Sequence, residues 1–247
     1  MASLNDGSRQ SRLIEALSPA ERARVAPFLE PVELNVKDVL DSEGRPTRYA
    51  TFPANAVTST LMELPEGDTV EVGLMGAEGV VGLSMIYGQR IASATVIVQI
   101  AGHGMRIDAD TFVREVVQHG GEMYRLLLRY ANMFGAMVAQ GAACNASHGI
   151  EQRLARWILQ VHDRVGAAEF PLTHEFIGLM LGVRRATVSE AASRLRQGGA
   201  IDYRTRSIRV TDRKALEQAA CGCYAVMRAF AENTFVDDSL AGTVATR

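Results

Sequence analysis

Arg184, Arg185, Thr187, Ser189 and Glu190 stand together at the start of one short helical stretch of a 247-residue chain. Guanidinium forks donate, hydroxyls donate and accept, and a carboxylate accepts, so the group can contact phosphates and base edges. Long polar side chains at a helix N-terminus suit a helix set end-on in a DNA major groove. Segment 172–195 supplies the rest of the device. Phe176, Ile177, Met180 and Leu181 make an apolar stripe with Glu175 toward solvent, Gly182 stops the helix, and Val183 plugs the joint to the next. On the second helix Val188, Ala191, Ala192 and Leu195 are the inward set. This pattern is a helix-turn-helix whose ligand is duplex DNA; the plainer reading is the solvated face of a helical hairpin.

The residues beyond the second helix favour DNA. Gly198-Gly199 ends that helix, and 200–210 alternates Ile201, Tyr203, Ile208 and Val210 around a basic tip, Arg204-Thr205-Arg206-Ser207. That is a β-hairpin wing, although its tip lacks the Gly or Asn of a tight two-residue turn. Thr173, Arg184, Arg185, Ala186, Thr187, Ser189, Glu190, Arg194, Arg204 and Arg206 form the expected DNA-contact set.

The formal charge is −2 and the pI about 6.2, which by themselves do not suggest a nucleic-acid partner. The charge is unevenly spread. Segment 165–214 holds nine basic against five acidic residues, +4, which leaves −6 for the remainder. A basic module on an acidic body keeps the phosphate-attracting field local.

Several elements must position this module. A helix is expected over 12–28, carrying Leu13, Ile14, Leu17, Val25 and Leu29. Short β-branched segments then fall at 32–36, 38–40, 49–52, 57–64, 69–74, 94–100 and 105–107 between Gly and Pro punctuation, the pattern of a sandwich or jelly roll. A short helix near 111–118 precedes a long one from about 122 to 143. On the long helix Met123, Leu126, Leu127, Tyr130, Phe134, Met137, Val138 and Gly141 recur at steps of three and four. After a complete roll such a face is free for a second copy of the chain, and these residues are the expected homodimer interface; the alternative is that they pack on their own roll. An amphipathic helix over 150–165, through Ile150, Leu154, Trp157, Ile158 and Val161, backs the helix-turn-helix, and one more helix covers 213–231.

The fold class is therefore α+β, with an N-terminal double-stranded β-helix (jelly-roll) sensor domain, a long dimerisation helix and a C-terminal winged helix-turn-helix. The expected divisions are a disordered N-terminus 1–12, a cyclic-nucleotide-binding-like roll 13–121, the dimerisation helix 122–148, the DNA-binding domain 149–235 and a flexible tail 236–247. No apolar run long enough to span a membrane and no signal peptide is present, which points to the cytoplasm. Three cysteines are too few for a disulfide framework.

This order of elements resembles the Crp/Fnr family of bacterial transcription regulators over nearly the whole chain. The anchors are Gly79-Val80-Val81-Gly82-Leu83 and Gly88-Gln89, Arg153-Leu154-Ala155, and Ile177-Gly178 through Gly182 to Arg185-Ala186-Thr187-Val188-Ser189. The resemblance implies a homodimer on a two-fold DNA site, with two recognition helices about 34 Å apart, and contact with RNA polymerase. It implies that Arg185 reads a guanine, with Arg184 and Thr187 at phosphates or neighbouring bases. Where the family often has a cytosine-reading glutamate this chain has Ala186, and its second arginine falls at Glu190, so the operator is its own.

The family's roll often holds cyclic AMP through a glutamate and an Arg-Ser pair. Here those positions are Val80 and Ile91-Ala92, flanked by Arg90 and Ser93, while the long helix offers Val138 and Ala139. Apolar groups leave a phosphate desolvated and unpaired, so the effector pocket is degenerate, and any small-molecule effector is of unidentified class. No cofactor or metal ligand set is expected. Cys221-Gly222-Cys223 reads as two partly buried thiols in a helix with no His nearby in sequence, and the N-terminal half has no cysteines for an iron-sulfur cluster. The chain is expected not to be an enzyme. A cupin-type metal enzyme would need several histidines in the roll, which offers only His103. A ligand-responsive signalling protein of the same fold, with no DNA role, is the other alternative, and the helix-turn-helix argues against it.

Overall fold

Ser18 and Pro19 divide the N-terminal helix. The computed structural model describes residues 10–204 and 206–235. In place of one helix over 12–28 the chain forms α1 (Arg12–Glu15), α2 (Pro19–Val25) and a 3-10 turn (Ala26–Phe28). Pro19 has no amide to give and suits the first helical position, and the Ser18 hydroxyl accepts from the Glu21 amide. Of the segment 1–12 expected to be disordered, residues 1–9 lie outside the described residues, as do Thr205 and the tail 236–247. Ser11 is buried, and the Arg12 amide donates to Ala77 O at 2.7 Å, so the packed chain begins before residue 13.

All seven strand segments are present, with ends shifted by a few residues: β1 (Glu30–Leu34), β2 (Val39–Asp41), β3 (Tyr49–Pro53), β4 (Val57–Glu63), β5 (Thr69–Met75), β6 (Thr95–Ile100) and β7 (Gly102–Asp108). They build two antiparallel sheets of order β1-β7-β3 and β2-β6-β4-β5. A helix α3 (Leu83–Ile86), too short to show a periodicity, sits between β5 and β6. Asp108 caps α4 (Ala109–Phe112) by accepting from the amides of Asp110 and Thr111, and a π-helical turn (Val113–Gln118) comes next.

The long helix α5 (Gly121–Ser147) then crosses the sheets. Its apolar stripe is intramolecular. Met123, Leu126, Leu127, Tyr130 and Met137 share one buried cluster with Phe52, Val80, Met85 and Phe112, and Phe134 lies half-buried over Gly73. Burying each large apolar side chain contributes about 1.5–3 kcal/mol, reason enough for the roll to claim this face. The residues expected at a dimer interface are therefore mainly the seam between α5 and its own sheets. Of that set, Val138 and Gly141 are half-buried.

After α5 come α6 (Ile150–Val165), β8 (Glu169–Pro171), α7 (His174–Leu181), α8 (Arg185–Gln197), β9 (Ile201–Arg204) and β10 (Ser207–Val210). The hairpin expected over 200–210 is present as β9 and β10, and a third strand joins it: β8 pairs with β10 to give the order β8-β10-β9. The helix expected over 213–231 is instead two, α9 (Arg213–Ala219) and α10 (Cys223–Asn233), because Ala220 is extended at ψ 155. Residues Leu154 to Val161 are buried without interruption. Helix α6 is amphipathic in sequence as expected, but eight consecutive buried residues cover every face of its middle two turns, so it is central to the fold. Its cluster takes in Val57, Leu61, Leu74 and Ile100 from the sheets as well as the helix-turn-helix core.

Candidate nucleic-acid interface

The helix-turn-helix depends on two glycines. Gly182 ends α7 at φ +62, a left-handed conformation that costs glycine little, and the Val183 amide returns to Gly178 O at 2.9 Å. Gly178 lets that return happen, since a Cβ there would lie 2.8 Å from Val183 O. Thr173 caps α7, its hydroxyl accepting from the Phe176 amide at 3.2 Å. Arg153 on α6 donates to Leu181 O at 2.6 Å and so holds the end of α7.

Arg184 is the N-cap of α8 and Arg185 its first residue, and both are exposed with Ala186 beside them. The first turn of α8 contains no acidic residue, so nothing there offsets the positive end of the helix and the two arginines beside it. Thr187 is half-buried and Glu190 exposed. Arg204 and Arg206 are exposed at the wing.

Two expected contacts are otherwise engaged. The Ser189 hydroxyl donates to Arg185 O at 3.1 Å and meets His174 Nδ1 at 2.9 Å. Arg194 pairs with Glu151 of α6 at 2.7 Å across an exposed surface. His174 itself has no sequence signal as a site residue, yet it stacks on Tyr203 with centroids 3.9 Å apart, bracing α7 against the wing. Burial, and then the charge of Arg185, lower its pKa below the ordinary histidine value, which favours the neutral ring.

The roll's interior is small. Val80, Ala92 and Ser93 line a cavity of about 40 Å³ together with Asp41, Thr60 and Ser84. Burial pushes the Asp41 carboxyl up to about 6. Arg90 faces outward and pairs with Asp110 at 2.6 Å, while Ile91 is 47% exposed. On the long helix Val138 is half-buried and Ala139 exposed, outside this cavity.

Cys221 and Cys223 are not two thiols within one helix. They bracket Gly222 at the start of α10 and meet Cys144 and His148 from the end of α5, with all four ligand atoms within 4.8 Å of one another. No sequence pattern joins residues 77 positions apart, so only the fold assembles this group.

A family model described as a Crp-like helix-turn-helix domain matches residues 152–219, from α6 to the end of α9. In this unit the chain resembles the Crp/Fnr regulators. It is 24% identical over 217 residues, 84% of this chain and 96% of the relative, to the CRP-like cAMP-activated global transcriptional regulator of Mycobacterium tuberculosis. Among solved structures its fold is similar to FixK2 from Bradyrhizobium japonicum (TM-score 0.67, 16% identity, 78% of this chain and 98% of that one). It is also similar to a CRP-family transcriptional regulator from Thermus thermophilus (TM-score 0.64, 18% identity, 76% and 96%). The α+β class and the resemblance drawn from the sequence both hold. Among the described residues no helix is long and apolar enough to cross a membrane.

Proposed function

We propose that this Crp/Fnr-type chain is a cytoplasmic, sequence-specific DNA-binding transcription regulator that acts as a homodimer on a two-fold site and contacts RNA polymerase. The observation that carries this reading is the exposed, acid-free start of α8, which carries Arg184 and Arg185, with Arg204 and Arg206 exposed on the hairpin that follows. Arg185 is the base-reading residue, and Thr173, Arg184, Thr187, Arg204 and Arg206 hold phosphates or neighbouring bases. Ser189 orients His174, and Arg194 exchanges Glu151 for a phosphate. Residues 13–121 form a jelly-roll sensor unit, 122–148 the dimer helix and 149–235 the winged DNA unit.

The dimer uses the outward seam of α5. Arg125, Leu128, Asn132, Gly135, Ala139, Ala142 and Ala146 are all exposed and recur at alternating steps of three and four. That is a coiled-coil seam whose small residues allow close helix approach and whose Asn132 fixes register.

The roll works without a cyclic nucleotide. A 40 Å³ space is far below the roughly 300–1,000 Å³ of ordinary ligand pockets, and its lining includes the Asp41 carboxyl, which an anionic ligand would meet unfavourably. Val80, Ile91 and Ala92 provide no donors. In this the chain departs from its cAMP-activated relative. A cupin-type enzyme is disfavoured, since among the described residues the group able to hold a metal lies outside the roll.

Genome-wide DNA selection with the purified chain, with and without cyclic AMP, cyclic GMP and oxidant, is the test. A two-fold motif unaffected by the nucleotides is expected. Absence of an enriched sequence overturns DNA reading, and a motif that appears only with a nucleotide overturns the effector-free roll.

A further inference from the structure

Cys144 lies in the last turn of α5, and His148, its extended C-cap, returns its backbone amide to Cys144 O, which keeps the two residues together. Cys221 and Cys223 flank Gly222, the N-cap of α10, and bring both sulfurs within 4.8 Å of each other and of the α5 pair. Cys144 Sγ lies 3.4 Å from Cys221 Sγ, and His148 Nδ1 lies 3.6 Å from Cys223 Sγ. The three thiols are buried and form a group apart from the two large apolar cores, while His148 is half-buried. The side-chain amide of Gln140, one turn before Cys144, donates to Cys223 Sγ at 3.2 Å.

We infer that Cys144, His148, Cys221 and Cys223 form a closed tetrahedral site for a thiophilic divalent cation of the zinc class. Zinc–sulfur bonds of about 2.3 Å and zinc–nitrogen bonds of about 2.0 Å place tetrahedral ligand atoms roughly 3.5–3.8 Å apart. The two close contacts lie at or just below that range and the remaining separations extend to at most 4.8 Å, so the ion enters with side-chain shifts of up to about 1 Å. Soft sulfur donors select against magnesium, calcium and manganese, and four protein ligands leave no open position for catalysis. On binding, three Sγ–H protons pass to solvent, the imidazole stays neutral, and nothing is oxidised or reduced.

Charge supplies an independent argument. Three thiolates around a dication carry a net −1, which burial would penalise without a compensating cation. Arg156, on α6 beyond Cys144, is buried and its Nε has no hydrogen-bond partner. A buried guanidinium beside neutral thiols is poorly compensated, whereas beside an anionic metal centre it is matched. The N-terminal end of α10 adds its positive dipole at Cys221 and Cys223.

The ion's place in the fold gives it a task. It fastens the last turn of α5 to the start of α10, across the extended His148 joint from which α6 and the DNA unit depart.

The test uses the full-length chain purified under reducing conditions without chelator. Elemental analysis is expected to find one zinc-class ion per chain. Replacement by Co²⁺ should give sulfur-to-cobalt charge-transfer and intense visible bands of a tetrahedral thiolate site. Cys221→Ser and His148→Asn should each weaken Zn²⁺ retention more than tenfold, and Gln140→Ala, which removes only a supporting hydrogen bond, by about tenfold. Should a ligand variant fail to fold, the native chain decides: chelation should make three protected thiols reactive, and Zn²⁺ should protect them again. Three thiols equally reactive with and without Zn²⁺ overturn the site. So does a Cys144–Cys221 disulfide in reduced protein, or acid-labile sulfide showing an iron-sulfur cluster instead of a single ion.

Discussion

The indole N–H of Trp157 donates to Glu71 Oε1 at 2.7 Å and so ties the central helix α6 to strand β5 of the roll. The second oxygen, Glu71 Oε2, is buried without a partner. Burial pushes this carboxyl up to about 7, against lowering hydrogen bonds from Ser59 and Trp157 and the charges of Arg156 and Arg164. A carboxyl whose folded pKa is raised holds its proton more tightly when folded. Its stabilising contribution is complete below the ordinary value of 4.5 and is lost as pH rises toward 7. Stability should fall by up to about 3 kcal/mol over that window, and Glu71→Gln, which keeps an acceptor for Trp157, should flatten the fall. Denaturant titrations at pH 5 and pH 8 decide it; equal pH slopes in both proteins would sink the assignment.

Arg185→Ala should reduce specific binding by about 1–3 kcal/mol while leaving most salt-dependent affinity. Removing Arg204 or Arg206 should weaken binding to all sequences alike and lower the salt slope by about one unit each. Arg194→Ala should cost less than Arg185→Ala, since binding through Arg194 must first free it from Glu151. Gel-shift titrations across salt concentrations separate the three; an Arg185→Ala protein with wild-type operator affinity refutes the base-reading role.

Gly178→Ala sets two effects against each other. Alanine favours a helix by about 1 kcal/mol, but the added Cβ would meet the backbone oxygen of Val183 at 2.8 Å. Backbone cannot yield as a flexible side chain does, so overlap should win and the variant should lose about 1–3 kcal/mol. Thermal or denaturant unfolding checks the sign, and a stabilised variant would show that the turn relaxes freely.

Ala139→Glu puts a charge on the exposed seam of α5, whereas Met137→Glu puts one into the core beneath the helix. The first should yield folded monomers with dimer affinity reduced more than tenfold, and the second should fail to fold. Light scattering with circular dichroism reads both. A fully dimeric Ala139→Glu protein removes that seam from the interface.

The helix-turn-helix was legible because its signals are local. Gly178, Gly182, Val183 and the start of α8 act on each other within a few residues, and a turn glycine or an apolar stripe means the same in any context. The seven strands were legible for the same reason. Element ends were less so where a single backbone angle decides, as at Ala220, or where a Ser-Pro pair starts a new helix, as at Ser18.

The sequence by itself determined the order of elements, the Crp/Fnr resemblance, the cluster of basic residues over 184–214 and the apolar side chains at positions 80, 91 and 92. Only the tertiary structure decided which face of α5 the roll would take, that Arg194 would turn to Glu151, and that Cys144 and His148 would meet Cys221 and Cys223. The physical reason is that periodicity reports that a face is buried but not what covers it, since burial is non-directional. Pairings of charges and thiols across α5, α6 and α10 depend on how helices pack, and packing is a property of the whole chain.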